Sequence, residues 1–215
     1  MDNKILITSL DSVIRSRKSV RIYSNESPDK EAIKKIVQSA IYAPYSRATG
    51  LPYQEIRKIF ILSQNSENME KARALLISEM GKISVKVNRL LFFLPFLRKK
   101  LGVFANKMST QSKSGILSLK EAPYYIIIAE KKGFPRLAKQ SIAYAMENIW
   151  LSSAAAGLGF QLISETGMMS NHKQFCKLLG LPKGLYQLDG CVIGIPKNAS
   201  TELKEFEFEK FVTWL

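Results

Sequence analysis

One histidine, His172, and two cysteines, Cys176 and Cys191, are all the imidazole and thiol this chain offers. The cysteines stand in no CxxC or metal-type spacing, which sets aside a zinc centre built from Cys and His. A Ser-His-Asp or Cys-His catalyst would have to use His172. That residue lies in the polar stretch Ser170-Asn171-His172-Lys173, where a helix is expected to start, and a surface position is its plainer reading. No GxGxxG fingerprint follows a first strand, and no GxxxxGK[ST] loop is present. The apolar runs are short as well. The longest, Leu90 to Leu97, is interrupted by Pro95 and falls far below the roughly 18 residues that span a bilayer. The N-terminus, Met1-Asp2-Asn3-Lys4, lacks the apolar core of an export signal. The expectation is a cytoplasmic protein with reduced thiols. An enzyme so poor in acid–base clusters would borrow its chemistry from a cofactor.

Negative charge is scarce too. Against 18 Asp and Glu stand 32 Lys and Arg, for a net charge of +14, and such an excess favours an anionic partner. Nucleic acid, an acidic membrane surface and a phosphorylated small molecule all qualify. Against nucleic acid, the chain has no helix-turn-helix pattern, zinc finger or RNP-type aromatic strand, and its cations are spread along its length. With 215 residues and 46% hydrophobic content, it suits one domain with a full core, residues 1–215.

Apolar spacing predicts a helix from Leu6 to Arg17, an extended run over Ser19–Tyr23, and a second helix after Ser27-Pro28 that ends before Pro44. The stretch Ala43 to Pro52 is a loop by composition. Ile56 to Leu62 reads as a strand and Glu67 to Met80 as a helix. Tyr124 to Ala129 has the continuous apolarity of a strand buried on both faces. Gln140 to Gly157, rich in alanine and closed by Gly157-Leu158-Gly159, is the strongest helix. Asn171 to Leu179 is a further helix and Leu188 to Ile195 a further strand. The tail from Phe206 to Leu215 is apolar enough to need cover, such as a partner subunit. Residues 81–115 read as an insertion or lid, two short basic helices broken at Pro95 and Gly102. Within them, residues 89–100 also have the composition of a membrane-surface helix; a lid, or a packed helix with snorkelling basic ends, is preferred.

The stretch Arg15-Ser16-Arg17-Lys18-Ser19-Val20-Arg21 joins the first helix to the extended run. Arginine presents a rigid fork that matches phosphate oxygens, and Ser19 and Arg21 share one side of an extended chain. Taken alone, the segment reads equally well as a basic strip at a helix C-terminus. The order of motifs tips the balance. Arg17-Lys18-Ser19-Val20-Arg21, Ala43-Pro44, Ala122-Pro123, Glu147 through Gly159, Thr166-Gly167, Leu178 through Pro182 and Cys191 through Pro196 together resemble the nitroreductase family of flavoproteins. The likeness covers most of the chain outside roughly 66–118.

That resemblance implies an α+β fold, with a central, mostly antiparallel mixed sheet flanked by helices, in a homodimer with an exchanged C-terminal tail. It implies FMN as cofactor, NADH or NADPH as electron donor, and a small organic acceptor such as a nitro compound or quinone. By the same likeness Arg17 and Ser19 meet the FMN phosphate, Lys18 between them is a further cofactor-binding residue, and Arg21 sits by the pyrimidine edge of the flavin. The loop with Pro44, Tyr45, Ser46 and Thr49 lines the flavin from the partner subunit. The Glu165-Thr166-Gly167 turn offers an N–H toward flavin N5, and Lys204 reaches the phosphate. The loop departs from the family's usual APSxxNxQPW pattern, reading Ala43 through Tyr53 without the Asn and Gln. A flavin-binding member without redox turnover, and a basic nucleic-acid-binding protein, are the alternative readings.

Overall fold

The computed structural model describes residues 3–45, 50–198 and 206–215, and for residues 3–8 the backbone alone. In chain order the elements are α1 (Asn3–Ser16), α2 (Lys30–Ser39), the short α3 (Tyr53–Ile56), β1 (Arg57–Ser63), α4 (Glu67–Phe93), α5 (Arg98–Ser114), α6 (Leu117–Glu121), β2 (Tyr124–Lys131), α7 (Ala138–Ala155), β3 (Gly159–Leu162), α8 (Lys173–Leu178) and β4 (Tyr186–Gly194). The strand order is β1-β2-β4-β3, and every pairing of named strands is antiparallel. A single parallel bridge, Ser19 to Phe160, adds the segment after α1 to the edge.

The sheet has a hydrophobic layer on each face, and alternation along β2 builds both. Tyr125, Ile127 and Ala129 enter one core with Met69, Leu76 and Met80 of α4, Met108 of α5 and Phe175 of α8. Tyr124, Ile126 and Ile128 enter the other with Ile33 and Ile36 of α2 and Ile142 and Ile149 of α7. The three isoleucines are fully buried, each worth about 1.5–3 kcal/mol relative to exposure. The unbroken apolar run in the sequence is the signature of this double burial.

Local chemistry sets the helix ends. Ser66 caps α4 by accepting a hydrogen bond from the Met69 amide at 3.2 Å, with Glu67 and Glu70 in the first turn. His172 caps α8, its Nδ1 accepting from the Phe175 amide at 3.2 Å. The lone histidine is therefore a structural cap, largely buried rather than at the surface. Past α7, Gly157 takes φ +70°, and the Leu158 amide turns back to the Ser153 carbonyl at 2.8 Å.

Two expectations need correction. The helix expected to end at Met80 runs on to Phe93, and Gly102 lies inside α5 rather than breaking it. The only interruption between Glu67 and Ser114 is at Leu94–Leu97, where Pro95 starts a 3-10 turn. Gly81 faces α5, where a Cβ would meet that of Ser112 at an ordinary 3.8 Å, so close approach does not require glycine there. The packing of α4 on α5 outweighs the ~1 kcal/mol propensity cost of a helical glycine.

A buried ion pair ties β1, β2 and the loop after α2 together. Arg57 and Glu130 are cross-strand partners, with Nε 2.7 Å from Oε2 and side chains 1% and 0% exposed. The guanidinium also donates to the carbonyls of Ala40 (2.7 Å), Ala43 (3.2 Å), Pro44 (3.0 Å) and Ser141 (3.1 Å). Burial pushes the Glu130 carboxyl above its usual range, although Arg57 and Ser141 pull it down.

Candidate functional site

The segment between α1 and α2 is sewn to the sheet by its backbone. The Val20 amide donates to the Phe160 carbonyl at 2.9 Å, Ser24 to Ile195 at 2.8 Å, and Lys197 returns a bond to Ile22 at 3.1 Å. This close approach needs glycine at position 159, where a Cβ would lie 2.8 Å from Val20 Cβ. Gly159→Ala is expected to cost about 1–3 kcal/mol by overpacking and to push Ser19 and Arg21 outward. Thermal unfolding checks it; a melting temperature equal to the parent's contradicts it.

Along this edge run two adjoining hollows. One, about 730 Å³, is lined by Ile14, Arg15, Arg17, Lys18, Ser19, Arg21, Trp150 and Phe206. The other, about 440 Å³, shares Ser19 and Arg21 and continues to Lys107, Thr110, Gln111, Ser118, Gln161 and Glu165. Ser19 and Arg21 thus stand where the two meet, as expected of alternate residues on one side of an extended chain.

Each end has its own chemistry. At the first, Arg17 lies over the Trp150 ring with its guanidinium carbon 4.0 Å from the centroid, and Trp150 stacks on Phe160 at 4.8 Å. Glu147 meets Arg17 Nε at 3.2 Å, and Trp150 Nε1 donates to the Lys18 carbonyl at 3.2 Å. The cation is held flat by α7, and Arg15, Lys18 and Arg21 line the same hollow. At the second end amide and hydroxyl groups of Gln111, Ser118 and Gln161 share the lining with Ile116, Leu117 and Leu162, and Lys107 Nζ lies 2.7 Å from Glu165 Oε1.

Unsatisfied groups mark the same place. Among the described residues, five buried side-chain polar atoms lack a hydrogen bond: Arg17 Nε, Gln111 Oε1, Ser118 Oγ, Gln161 Oε1 and Glu165 Oε1. All five residues line the two hollows. Arg17 and Glu165 do have the ionic neighbours just named, but off hydrogen-bond alignment. Buried polar atoms without partners cost about 1–3 kcal/mol each, so a cluster of them in one cleft calls for a ligand. The ligand they fit is elongated, anionic at one end and edged with hydrogen-bonding groups at the other.

The expected residues divide. Arg17, Lys18, Ser19, Arg21 and Glu165 line the cleft together. Thr166 and Gly167 follow Glu165 in a 3-10 turn (Ser164–Asn171) and do not line it. Thr166 is fully buried, with its amide given to the Ile163 carbonyl at 2.9 Å and its hydroxyl 2.7 Å from Tyr125 Oη. Pro44 and Tyr45 do not line it either; the Pro44 carbonyl is held by Arg57, and the Tyr45 ring lies 4.4 Å from that of Tyr53. Ser46, Thr49 and Lys204 lie outside the described residues. Sequence reading did not single out Trp150, Gln161, Gln111, Ser118 or Lys107. Lys107, Gln111 and Ser118 come from or just beyond the stretch read as an insertion, and nothing in their spacing pointed to the cleft.

Near Glu165, burial pushes the Asp189 carboxyl up to about 6, against the pull of the Gly190 amide hydrogen bond, and Glu165 adds to the rise. Between roughly pH 4 and 6 the folded chain then keeps a proton the unfolded chain has lost, so stability falls as pH rises through that window. Asp189→Asn removes this loss and is expected to be about 2 kcal/mol more stable than the parent at pH 7. Urea unfolding at pH 4 and pH 7 tests it; a variant less stable than the parent at pH 7 contradicts it.

The Nitroreductase family profile matches residues 14–195. No curated protein matches the chain. A nitroreductase with bound FMN from Bacteroides fragilis has a similar structure, with TM-score 0.71 and 16% identity over 96% of this chain and 98% of its own. A nitroreductase with bound FMN from Desulfitobacterium hafniense superposes with TM-score 0.67 and 18% identity over 100% of both chains. A BluB-like flavoprotein from Clostridium difficile gives TM-score 0.71 and 20% identity over 96% and 98%.

Proposed function

Because this chain belongs to the nitroreductase family, we propose that it is an FMN-dependent oxidoreductase, a homodimer that passes electrons from NADH or NADPH to a small organic acceptor such as a nitro compound or quinone. The observation that carries this reading is the gathering of every described unsatisfied buried polar atom along one cleft with a cationic end. Two of the similar structures hold FMN, which supports the same identity for the ligand.

In this reading Arg17, Lys18 and Ser19 hold the phosphate by charge-assisted hydrogen bonds. Arg17 is stiffened for the task by Trp150 and Glu147. Arg21, at the junction of the two hollows, sets a cation beside the pyrimidine edge of the ring system, where it stabilises negative charge. Gln111, Ser118 and Gln161 satisfy the polar rim. Glu165, paired with Lys107, fixes the turn from which the Glu165 amide faces the ring; the Thr166 amide is already committed and Gly167 lies off the cleft. Bound FMN supplies the redox chemistry, so the chain needs no general base, in keeping with its single histidine serving as a helix cap. The loop holding Pro44, Tyr45, Ser46 and Thr49 completes the site from the partner subunit, Lys204 joins the phosphate ligands, and the exposed apolar tail from Phe206 to Leu215 is covered by the partner.

Purified protein should be yellow, release FMN on heating and bleach when NADH or NADPH is added. A colourless preparation that takes up no FMN would overturn the proposal. Bound flavin that no reduced nicotinamide bleaches would retain the cofactor and remove that donor.

A further inference from the structure

We propose that the tip of the α4–α5 hairpin docks on an anionic lipid bilayer. The tip gathers exposed apolar side chains among basic ones. Phe92, Phe93 and Phe96 are 78%, 66% and 74% exposed, and Val103 84%. From 85 to 103 only Leu91 is buried. The three phenylalanines flank or lie within the turn at Leu94–Leu97, the Phe92 and Phe93 rings meeting edge-on at 5.3 Å, and Val103 follows inside α5. Ringing them are Lys86, Arg89, Arg98, Lys99 and Lys100, all exposed. Between Glu79 and Glu121 the sequence has nine Lys and Arg and no Asp or Glu.

Exposed aromatics inside a ring of unpaired-sign cations match the bilayer interface: rings enter the acyl boundary while cations meet anionic headgroups. Neither helix is long and apolar enough to cross a membrane, so contact is with one surface. A second copy of the chain is a poorer occupant. A two-fold contact through the tip would set five cations against the same five.

The hairpin ties this surface to the cleft. Helix α5 begins at the tip with Arg98 and lines the cleft with Lys107, Thr110, Gln111 and Ser114. At 1.5 Å per residue, docking would hold the cleft about 14 Å from the headgroups. The inference stands on exposure and charge and does not depend on what the cleft binds.

The test is co-sedimentation of the full chain with phosphatidylcholine vesicles, with and without phosphatidylglycerol, at low and high salt. Flavin content and sedimentation velocity are measured on the same samples. The parent should bind vesicles containing phosphatidylglycerol and release with salt. Replacing Arg98, Lys99 and Lys100 with glutamine should weaken binding on the order of 100-fold at low salt, at roughly fivefold per cation. Replacing Phe92, Phe93 and Phe96 with serine should weaken it about tenfold or more. Neither variant should change the flavin content or the oligomeric state. A parent that ignores anionic vesicles at low salt, or binding indifferent to both variants, overturns the proposal. So does a parent dimer that the serine variant splits, which would assign the tip to a second copy.

Discussion

Arg57→Met is expected to cost the fold about 3–5 kcal/mol, enough to unfold a marginal domain at physiological temperature. The substitution leaves the Glu130 carboxylate fully buried without its cation, at a position where burial already works against its charge. It also frees the carbonyls of Ala40, Ala43, Pro44 and Ser141 from their donor. Adding Glu130→Met should restore part of the loss, because the stranded charge disappears while volume and apolar contact remain. Recovery should be incomplete, since the four carbonyls stay unclamped. Urea unfolding of the parent, single and double variants measures all three. A single variant within about 1 kcal/mol of the parent would show that the pair is not what holds the loop after α2 to the sheet.

Arg17→Ala should lower affinity for FMN by about 10–100-fold, the equivalent of one charge-assisted hydrogen bond of 1.5–3 kcal/mol. Arg17→Lys should fall between, because a lysine keeps the charge but loses the fork and the flat stack on Trp150. Ser19→Ala, which removes one neutral donor, should cost less, near tenfold. Flavin content after purification and fluorescence titration of added FMN report the effect, with the melting temperature separating lost binding from lost structure. Unchanged flavin in both alanine variants would mean that the phosphate lies elsewhere.

Some of this was legible in the residue order and some was not. The apolar run Tyr124 to Ala129 announces a strand with two dry faces, because nothing polar is there to meet water. The alanine-rich α7 with its glycine stop, and the arginine–serine alternation after α1, carry local signals that tertiary structure did not override. The α4–α5 hairpin was misread in part because Gly102 looks like a break in isolation. The glycine stands in open space within α5, and the helix continues through it to pack on α4 farther along. Arg57 gave no warning: an arginine at a strand end is ordinarily solvated, and its burial depends on Glu130, 73 residues later. Trp150 and Gln161 likewise enter the cleft through pairings between distant segments, which periodicity does not encode.

The most direct test of the central claim compares FMN with riboflavin, which differ only in the phosphate that Arg17, Lys18 and Ser19 are assigned to hold. Flavin-stripped protein titrated with each should bind FMN about 100-fold or more tightly than riboflavin, with the gap closing in the Arg17→Ala variant. Equal affinity for the two, unchanged by that variant, would contradict the account at its foundation.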